Sequence, residues 1–309
     1  VMQVTISTRV ISNVKRRFLI GFPLSFRIWC DNKYNYTKQA QIVNANKNNI
    51  FFRGKCCIMI GKKLIKGEMY TDIEKYYGYG ENLTKAIDRV SFNVQQGEFV
   101  SIMGKSGSGK TSLLNIIATI DVATAGHVIF EEKDITQFSD DEKADFRKKN
   151  IGFIFQDYNL IDTLTVKENI CIPLIMNRIE KKIIDKKADK VLRQLGIYEI
   201  KDKYSYQISG GQQQRCACAR ALISDSKYLF ADEPTGALDA QSSIDLMEVF
   251  KIISDKFRTT ILMVSHDPIS SSFSDRVLFL ENGKIVYELL RGNKDNEQML
   301  KEILTVQKV

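Results

Sequence analysis

Short apolar runs and helix-spaced apolar positions follow one another along residues 70–309. The runs Glu98–Met103, Ile151–Phe155 and Tyr228–Glu233 predict buried strands, because continuous apolar stretches of this length are typical of strands covered on both faces. The first run is followed by apolar residues that share one helix face: Leu113, Leu114, Ile116, Ile117 and Ile120. Helical spacing with a charged face returns in residues 157–206. These patterns together predict an ordered domain over residues 70–309.

Residues 1–68 lack such periodicity. Neither a helical nor an alternating apolar pattern is sustained there, and asparagines interrupt the stretch repeatedly. A basic triplet before the run Phe18–Phe26 imitates a secretory signal, but Arg27, Trp29 and Asp31 stand where signal cleavage needs small residues. We therefore expect a disordered extension, or upstream sequence included by a mis-assigned start, with Met69 as the first residue.

Charge is distributed unevenly over the 309 residues. The formal net charge is +8, but residues 1–68 hold 13 Lys and Arg against two acidic residues. The remaining chain carries 32 basic and 35 acidic side chains, so the basic character belongs to the first fifth of the sequence. A basic tail for a membrane surface or nucleic acid is an open alternative for this stretch. We nonetheless expect no nucleic-acid partner for this chain.

The apolar runs are also too short to cross a bilayer. Phe18–Phe26 and Ile170–Met176 have nine and seven residues, against the roughly 18 that a spanning helix needs. We therefore expect no membrane-spanning helix in this chain. The six cysteines are scattered and include no pair with CxxC spacing, which favours reduced thiols in a cytosolic protein over a disulfide framework.

A phosphate-binding motif lies between the first predicted strand and its helix. It reads Gly104, Lys105, Ser106, Gly107, Ser108, Gly109, Lys110 and Thr111. The glycines let the backbone curl so that consecutive N–H groups point at phosphate oxygens, and the helix start adds its positive dipole end. Lys110 then supplies a charge to the β- and γ-phosphates, and Thr111 offers a hydroxyl to Mg²⁺.

Two carboxylates close the third predicted strand. Asp232, at the carboxyl end of an apolar run, is the candidate for holding Mg²⁺ directly or through water, and Glu233 is placed to orient or deprotonate the attacking water. Because adjacent residues of a strand point to opposite faces, the two side chains need not compete for one role.

A second anion-binding arrangement precedes a helix that the pattern predicts over Cys216–Ile223. Ser209 stands before Gly210 and Gly211, and three glutamines follow. A hydroxyl, bare backbone N–H groups and a helix N-terminus together suit a phosphate. One nucleotide does not need two such cradles from one polypeptide, so we expect each cradle of a chain to serve a different nucleotide, shared with a second copy.

Together, these motifs resemble the ATP-binding subunits of ABC transporters over about residues 70–309. The resemblance implies an α/β fold: a P-loop NTPase (RecA-like) core with an antiparallel β subdomain and an inserted α-helical subdomain at about residues 157–222. It implies ATP and Mg²⁺ as cofactors and ATP hydrolysis as the activity. It also implies a head-to-tail homodimer that drives a separate integral membrane permease from the cytoplasmic face of the membrane.

The resemblance also implies further site residues. Gln156 matches the glutamine that contacts Mg²⁺ and faces the membrane partner, and His266 matches the histidine that contacts the γ-phosphate. Asp239 matches an acid that reaches across the dimer interface. Tyr77 matches the aromatic residue that stacks on adenine, although its neighbours Tyr76 and Tyr79 leave that assignment open.

The family pattern thus gives three sets of residues. Catalysis is expected of Glu233, His266 and Gln156. Magnesium is expected at Thr111, Gln156 and Asp232. Nucleotide contacts are expected from Tyr77, Gly104, Lys105, Ser106, Gly107, Ser108, Gly109, Lys110, Thr111, Ser112, Ser209, Gly210, Gly211, Gln212 and Asp239.

Within the family, the motifs and the C-terminal segment are most similar to bacitracin- and lantibiotic-type transporters. This implies antimicrobial peptide export or resistance, with a histidine kinase as a further partner through the permease. Two alternatives share the ATPase core: a transmembrane regulator of the cell-division type that moves no cargo, and a peptide-sensing complex. A non-enzymatic scaffold is disfavoured, since all five residues expected at the catalytic centre are present: Lys110, Gln156, Asp232, Glu233 and His266.

Overall fold

The computed structural model describes residues 25–27, 39–46, 49–53 and 67–308, and the chain divides into one unit of residues 1–65 and one of residues 66–309. In the first unit, an antiparallel sheet has the strand order β1-β2-β3, with β1 (Ser25–Arg27), β2 (Gln39–Asn46) and β3 (Asn49–Arg53). The expectation of a disordered extension or a mis-assigned start over residues 1–68 falls largely outside the described residues and stays a prediction.

The second unit contains ten described strands and eight α-helices. Its strands are β4 (Gly67–Tyr77), β5 (Thr84–Gln95), β6 (Phe99–Met103), β7 (Ala125–Phe130), β8 (Lys133–Asp134), β9 (Ile151–Ile154), β10 (Tyr228–Asp232), β11 (Thr260–Ser265), β12 (Arg276–Glu281) and β13 (Lys284–Leu290). Its helices are α1 (Lys110–Ile117), α2 (Asp140–Asn150), α3 (Val166–Met176), α4 (Lys181–Gln194), α5 (Gly210–Leu222), α6 (Ala240–Phe257), α7 (Pro268–Ser271) and α8 (Asn296–Val306).

A six-stranded sheet forms the centre of this unit, in the order β13-β12-β6-β11-β10-β9. All neighbours in it are parallel except the edge pair β12 and β13. Every residue of β6 and β11 is buried, as expected for strands covered on both faces. The predicted strands are present with slightly shorter bounds.

Alternate residues of the central strands enter two separate cores. Phe99 and Met263 pack with α3, α5 and α6 on one face, whereas Val100 and Val264 pack with α1 on the other. The second core also includes apolar residues of a four-stranded antiparallel sheet in the order β5-β4-β7-β8. A P-loop core with an antiparallel β subdomain is therefore confirmed.

Residues 157–222 contain the helices α3, α4 and α5 and no named strand. The last of these begins at Gly210, six residues before the predicted start at Cys216. The prediction was wrong because Ser209 and Gln212 form a capping box, which satisfies N-terminal backbone groups and lets a glycine- and glutamine-rich segment stay helical. Among residues 67–308, no helix is long and apolar enough to span a bilayer.

Candidate functional site

The predicted site residues converge because parallel strands end at one edge of the sheet. The phosphate loop follows β6, Gln156 follows β9, Glu233 follows β10 and His266 follows β11. In parallel sheets this carboxyl edge is where ligands bind. The fold thus gathers, from segments far apart in sequence, residues able to act on one phosphate group.

The phosphate loop, residues 104–111, can be built only with glycine at two positions. A side chain at Gly104 would place its Cβ 2.2 Å from the Leu280 carbonyl oxygen. At Gly109 the Cβ would lie 2.4 Å from the Ala86 oxygen, and the φ of +101° lies in the left-handed region. Gly109 precedes α1 without any side-chain cap, so the first N–H groups of that helix keep their capacity for an anion.

Lys110 is held inside the phosphate loop. Its ammonium donates to the carbonyl oxygens of Gly104 at 2.9 Å and Lys105 at 3.0 Å, and only 7% of the residue is exposed. These neutral acceptors leave the positive charge uncompensated by direct pairing. The Ser108 hydroxyl is also buried and has no hydrogen-bond partner. A buried charge and an unpartnered hydroxyl in one loop fit an anionic ligand.

Thr111 and Asp232 meet at the predicted metal position. The threonine hydroxyl donates to Asp232 Oδ1 at 3.1 Å. Burial raises the pKa of the Asp232 carboxyl above its ordinary value, although the Thr111 hydrogen bond acts in the opposite direction. A partly buried carboxylate beside a hydroxyl is a hard oxygen donor set, which Mg²⁺ prefers. Because no three His, Cys, Asp or Glu side chains among residues 67–308 are arranged so that together they could hold a metal ion, the ion would also need ligands from phosphate or water.

Glu233 and His266 form a direct pair. The carboxylate Oε2 of Glu233 lies 2.6 Å from Nδ1 of His266, and the Glu233 N–H donates to the Val264 carbonyl at 2.9 Å. The predicted strand ends one residue early, because Glu233 has a left-handed backbone with φ of +48°. The different directions of the Asp232 and Glu233 side chains therefore come from a change of backbone direction at Glu233 and not from strand alternation.

Gln156 lies beside the segment that follows β10. The side chain is exposed, and a Cβ built on Gly236 would come within 3.3 Å of its amide nitrogen. The structure thus brings Gln156 close to the turn that contains Glu233. An exposed amide at the carboxyl edge of the sheet is free to contact a ligand or a partner protein.

Tyr77, at the end of β4, is oriented towards α1. Its hydroxyl lies 2.8 Å from Asp121 Oδ2 and 3.3 Å from Ser112 Oγ, while 43% of the residue is exposed. Tyr79 is 94% exposed, and Tyr76 bonds to a glutamate on its own strand. Tyr77 is therefore the tyrosine tied to the phosphate-loop helix. Sequence reasoning missed Asp121, which stands in a loop without any motif.

In the second cradle, Ser209–Gly211, some hydrogen-bonding groups already have partners within the chain. The Ser209 hydroxyl accepts the Gln212 N–H at 3.4 Å, and the Ser209 N–H donates to the Gln212 side chain at 3.0 Å. A Cβ on Gly210 would lie 3.1 Å from the Tyr158 hydroxyl. None of the hydrogen bonds described for residues 67–308 joins this cradle to the phosphate loop.

Arg220 connects the same helix to the segment after Gln156. Its guanidinium donates to the carbonyl oxygens of Tyr158 at 2.7 Å and Asn159 at 2.5 Å. Both acceptor residues have positive φ angles, +59° and +49°. Burial lowers the pKa of Arg220 below its ordinary value, yet a guanidinium stays charged at any physiological pH. The segment after Gln156 and α5 are therefore held together.

Asp239 caps α6 within its own chain. Its carboxylate accepts the Ser242 N–H at 2.9 Å and the Ser242 hydroxyl at 2.7 Å, and these bonds lower its pKa. The side chain nonetheless remains at the surface. The expected reach of Asp239 across a dimer interface stays a prediction.

Comparison with known proteins gives consistent matches. The ABC transporter family model matches residues 87–236. The chain is 48% identical to the bacitracin export ATP-binding protein of Halalkalibacterium halodurans, over 77% of this chain and 94% of that protein. It is 40% identical to a macrolide export ATP-binding/permease protein of Campylobacter jejuni, over 72% of this chain and 34% of that protein. A solved dimeric ATP-binding cassette, in a post-hydrolysis state with ADP and Pi, matches with a TM-score of 0.68 and 36% identity, over 72% of this chain and 98% of that chain.

Proposed function

This chain belongs to the ABC transporter family as an ATP-binding, ATP-hydrolysing subunit, and on that premise we propose that it drives a separate membrane permease in antimicrobial peptide export or resistance. The similarity to a bacitracin export protein over 94% of that protein's length supports the peptide assignment. Residues 69–309 form the ATP-binding domain in this proposal, with the helical subdomain at about 157–222. The chain acts at the cytoplasmic face of the membrane.

ATP binds first to the phosphate loop. The open N-terminus of α1 and the loop N–H groups receive the β- and γ-phosphates, and Lys110 exchanges its loop carbonyls for phosphate oxygens. The ring of Tyr77 stacks on adenine. The Asp121 contact supports this role, because it holds the exposed ring next to Ser112 at the start of α1.

Thr111, Asp232 and Gln156 would hold Mg²⁺ together with phosphate oxygens. Bound there, the ion would neutralise charge on the β- and γ-phosphates. The fit rests on the Thr111–Asp232 contact at 3.1 Å and on the burial of Asp232. A cation would favour the ionised form of that carboxyl, which burial alone disfavours.

Hydrolysis is carried out by the Glu233–His266 pair. Glu233 accepts the proton of the attacking water, while His266 orients the carboxylate through Nδ1 and presents its other ring nitrogen to the γ-phosphate. The 2.6 Å contact between the two side chains is the observation that carries this step. The exposure of His266 supports it, since a ring that is free at its outer edge can reach a ligand.

A second copy completes the site. Ser209, Gly210 and Gly211 of one chain face the γ-phosphate held by the phosphate loop of its partner, and Asp239 reaches the interface. The dimeric form of the cassette with ADP and Pi supports this arrangement. ATP closes the dimer because both cradles contact one phosphate, and hydrolysis reopens it. The movement reaches the permease through Gln156 and the segment tied to Arg220.

The test is purification of the tagged chain from native membranes, followed by identification of the permease that accompanies it. We expect a large permease with an extracellular domain to accompany the chain. Deletion of this permease should raise the sensitivity of the cells to bacitracin-type peptides. A histidine kinase in the same complex would add the signalling partner. A small division-type membrane protein, with unchanged peptide sensitivity, would contradict the peptide assignment and leave the ATPase intact. As a control, the same purification uses a Lys110→Ala variant, which should retain the permease.

A further inference from the structure

A buried chain of hydroxyls joins the two segments that carry Glu233 and His266. The Thr235 and Ser270 hydroxyl oxygens lie 3.0 Å apart, and the Ser270 hydroxyl donates to Asp267 Oδ2 at 2.5 Å. Thr235 is 8% exposed and Ser270 is fully buried. We call Thr235 and Ser270 the hydroxyl bridge.

The hydroxyl bridge has a defined direction. A hydroxyl has one proton, and that of Ser270 is given to Asp267, so Ser270 must accept from Thr235. The Asp267 carboxylate is itself fixed, because it also accepts the N–H groups of Ile269 at 3.0 Å and Ser270 at 2.9 Å. Proton donation therefore runs from Thr235 through Ser270 to a carboxylate that caps α7.

These contacts close a ring with the catalytic pair. Thr235 follows Glu233 by two residues, and Asp267 follows His266 by one. The Glu233–His266 contact of 2.6 Å closes the opposite side. The two segments are thus joined at two places, so that neither can shift without straining a hydrogen bond.

Packing holds the two members of the catalytic pair unequally. The His266 side chain is 68% exposed, whereas that of Glu233 is 16% exposed but stands on a left-handed backbone, which a side chain of this size rarely adopts. The position of His266 relative to Glu233 therefore depends on the segments that carry the two residues. Hydrolysis also demands accurate placement, since an error of about 1 Å can lower a rate about 100-fold.

We propose that Thr235 and Ser270 are positioning residues for ATP hydrolysis, whose hydroxyls fix the distance between the Glu233 and His266 segments. This inference rests on the proposed roles of Glu233 and His266. Neither hydroxyl need touch the nucleotide. The hydroxyl bridge acts on the chemical step and leaves the phosphate loop, which binds ATP, unaffected.

The test compares isosteric and conservative substitutions. Thr235→Val and Ser270→Ala should each lower kcat by about tenfold, with an unchanged affinity for a fluorescent ATP analogue. Thr235→Ser keeps the donor and should restore most of the activity. The matched control is Ser271→Ala: Ser271 is equally buried and pairs with Ser101 at 2.8 Å outside the ring. It should lower thermal stability without changing kcat.

A double-mutant cycle completes the test. Because both hydroxyls act through one chain, Thr235→Val combined with Ser270→Ala should be no slower than the slower single variant. The proposal would be overturned if Thr235→Val had the same kcat as the wild type. It would also be overturned if Ser271→Ala lost as much kcat as Thr235→Val. If Thr235→Val does not fold, the kcat of Ser270→Ala provides the test instead. Glu233→Gln measured alongside separates the two ideas. If that variant still turns over, the role of Glu233 fails, whereas an inactive Glu233→Gln with a normal Thr235→Val refutes only the hydroxyl bridge.

Discussion

The two phosphate cradles of this chain, residues 104–111 and Ser209–Gly211, differ in how many of their hydrogen-bonding groups already have partners within the chain. The phosphate loop leaves the start of α1 uncapped and keeps Lys110 among neutral carbonyls. At the second cradle, Ser209 caps its own helix and exchanges hydrogen bonds with Gln212. The first has helix N–H groups open to a ligand, whereas the second is already stable as a helix end.

This difference indicates an order of events. An open cradle with a buried positive charge binds ATP within one chain, while a capped cradle has little affinity by itself and adds contacts only to a nucleotide that is already held. Affinity should therefore depend on the first cradle, and turnover on both. Variants can separate the two contributions.

The largest effect is expected in the first cradle. Lys110→Ala removes the buried ammonium of the phosphate loop, and ATP affinity should fall by about 100-fold or more, as for other buried charge contacts. Titration calorimetry with the purified chain measures this. Lys149→Ala, on the exposed side of α2, provides a control that should bind normally. Unaltered affinity in Lys110→Ala would remove the open cradle from nucleotide binding.

The next effect separates binding from chemistry. Glu233→Gln keeps the size of the side chain but loses the base, so kcat should fall by about 1000-fold with ATP affinity retained. Because hydrolysis reopens the dimer, size-exclusion chromatography with ATP should show a trapped dimer. Rapid turnover by this variant, or a monomer under these conditions, would contradict the role given to Glu233.

The second cradle should show the opposite pattern to Lys110. Ser209→Ala removes the hydroxyl that would face the partner's nucleotide, and kcat should fall by about tenfold with little change in the ATP affinity of the monomer. The same change also removes a helix cap, which contributes about 1 kcal/mol to stability. Thr165→Ala is the matched control, since Thr165 and Glu168 form the same capping box at α3. Equal losses of kcat in both variants would show that Ser209 matters only as a cap.

A smaller effect is expected from the charge of Asp232. Burial raises the folded-state pKa of Asp232, so its stabilising contribution exists below the ordinary pKa and is lost as the pH rises through the raised one. Ionised Asp232 thus destabilises the nucleotide-free protein at neutral pH. Asp232→Asn should raise the Tm by about 2 °C at pH 8 in thermal unfolding without nucleotide, and the gain should shrink as the pH is lowered towards the ordinary aspartate pKa of 3.8. A lower Tm for the variant at pH 8 would contradict this.

The smallest effect concerns the helix behind the second cradle. Burial raises the pKa of the Cys216 thiol to about 12 and of the Cys171 thiol to about 11, and Cys218 shifts in the same direction. Iodoacetamide at pH 7.5 should therefore leave these three thiols unmodified in the native protein, by peptide mass mapping. The same reagent in denaturant should label them. Labelling of Cys216 or Cys218 without denaturant would show that α5 opens, and labelling of Cys171 would show that α3 opens.

Sequence reasoning located the first cradle better than the second. The motif from Gly104 to Thr111 carries its own physics, since glycine spacing and a lysine suffice to predict where a phosphate binds. The start of α5 was placed six residues too late, because a capping box overrides the low helix propensity of two glycines. Local motifs thus predicted chemistry well and element bounds less well.

Contacts between distant segments could not be predicted. Nothing in the sequence around Asp121 indicates that it holds Tyr77, and nothing around Ser270 indicates a bond to Thr235, 35 residues away. The Thr235–Ser270 contact depends on the register of β10 and β11, which a single sequence does not specify. Similarly, the turn at Glu233 depends on its N–H bonding to Val264 of the next strand.

The Arg220 contacts have a consequence for exchanging parts between transporters. The guanidinium donates to two backbone carbonyls, those of Tyr158 and Asn159. Any residue at these two positions would provide the same acceptors. A chimera that takes residues 157–222 from a relative with arginine at this position would carry both halves of this contact and preserve it. A junction placed between Asn159 and Arg220 would preserve it only if the chain that supplies position 220 also has arginine there, because the contact uses two separate nitrogens of a rigid planar guanidinium, which the single nitrogen of lysine does not reproduce.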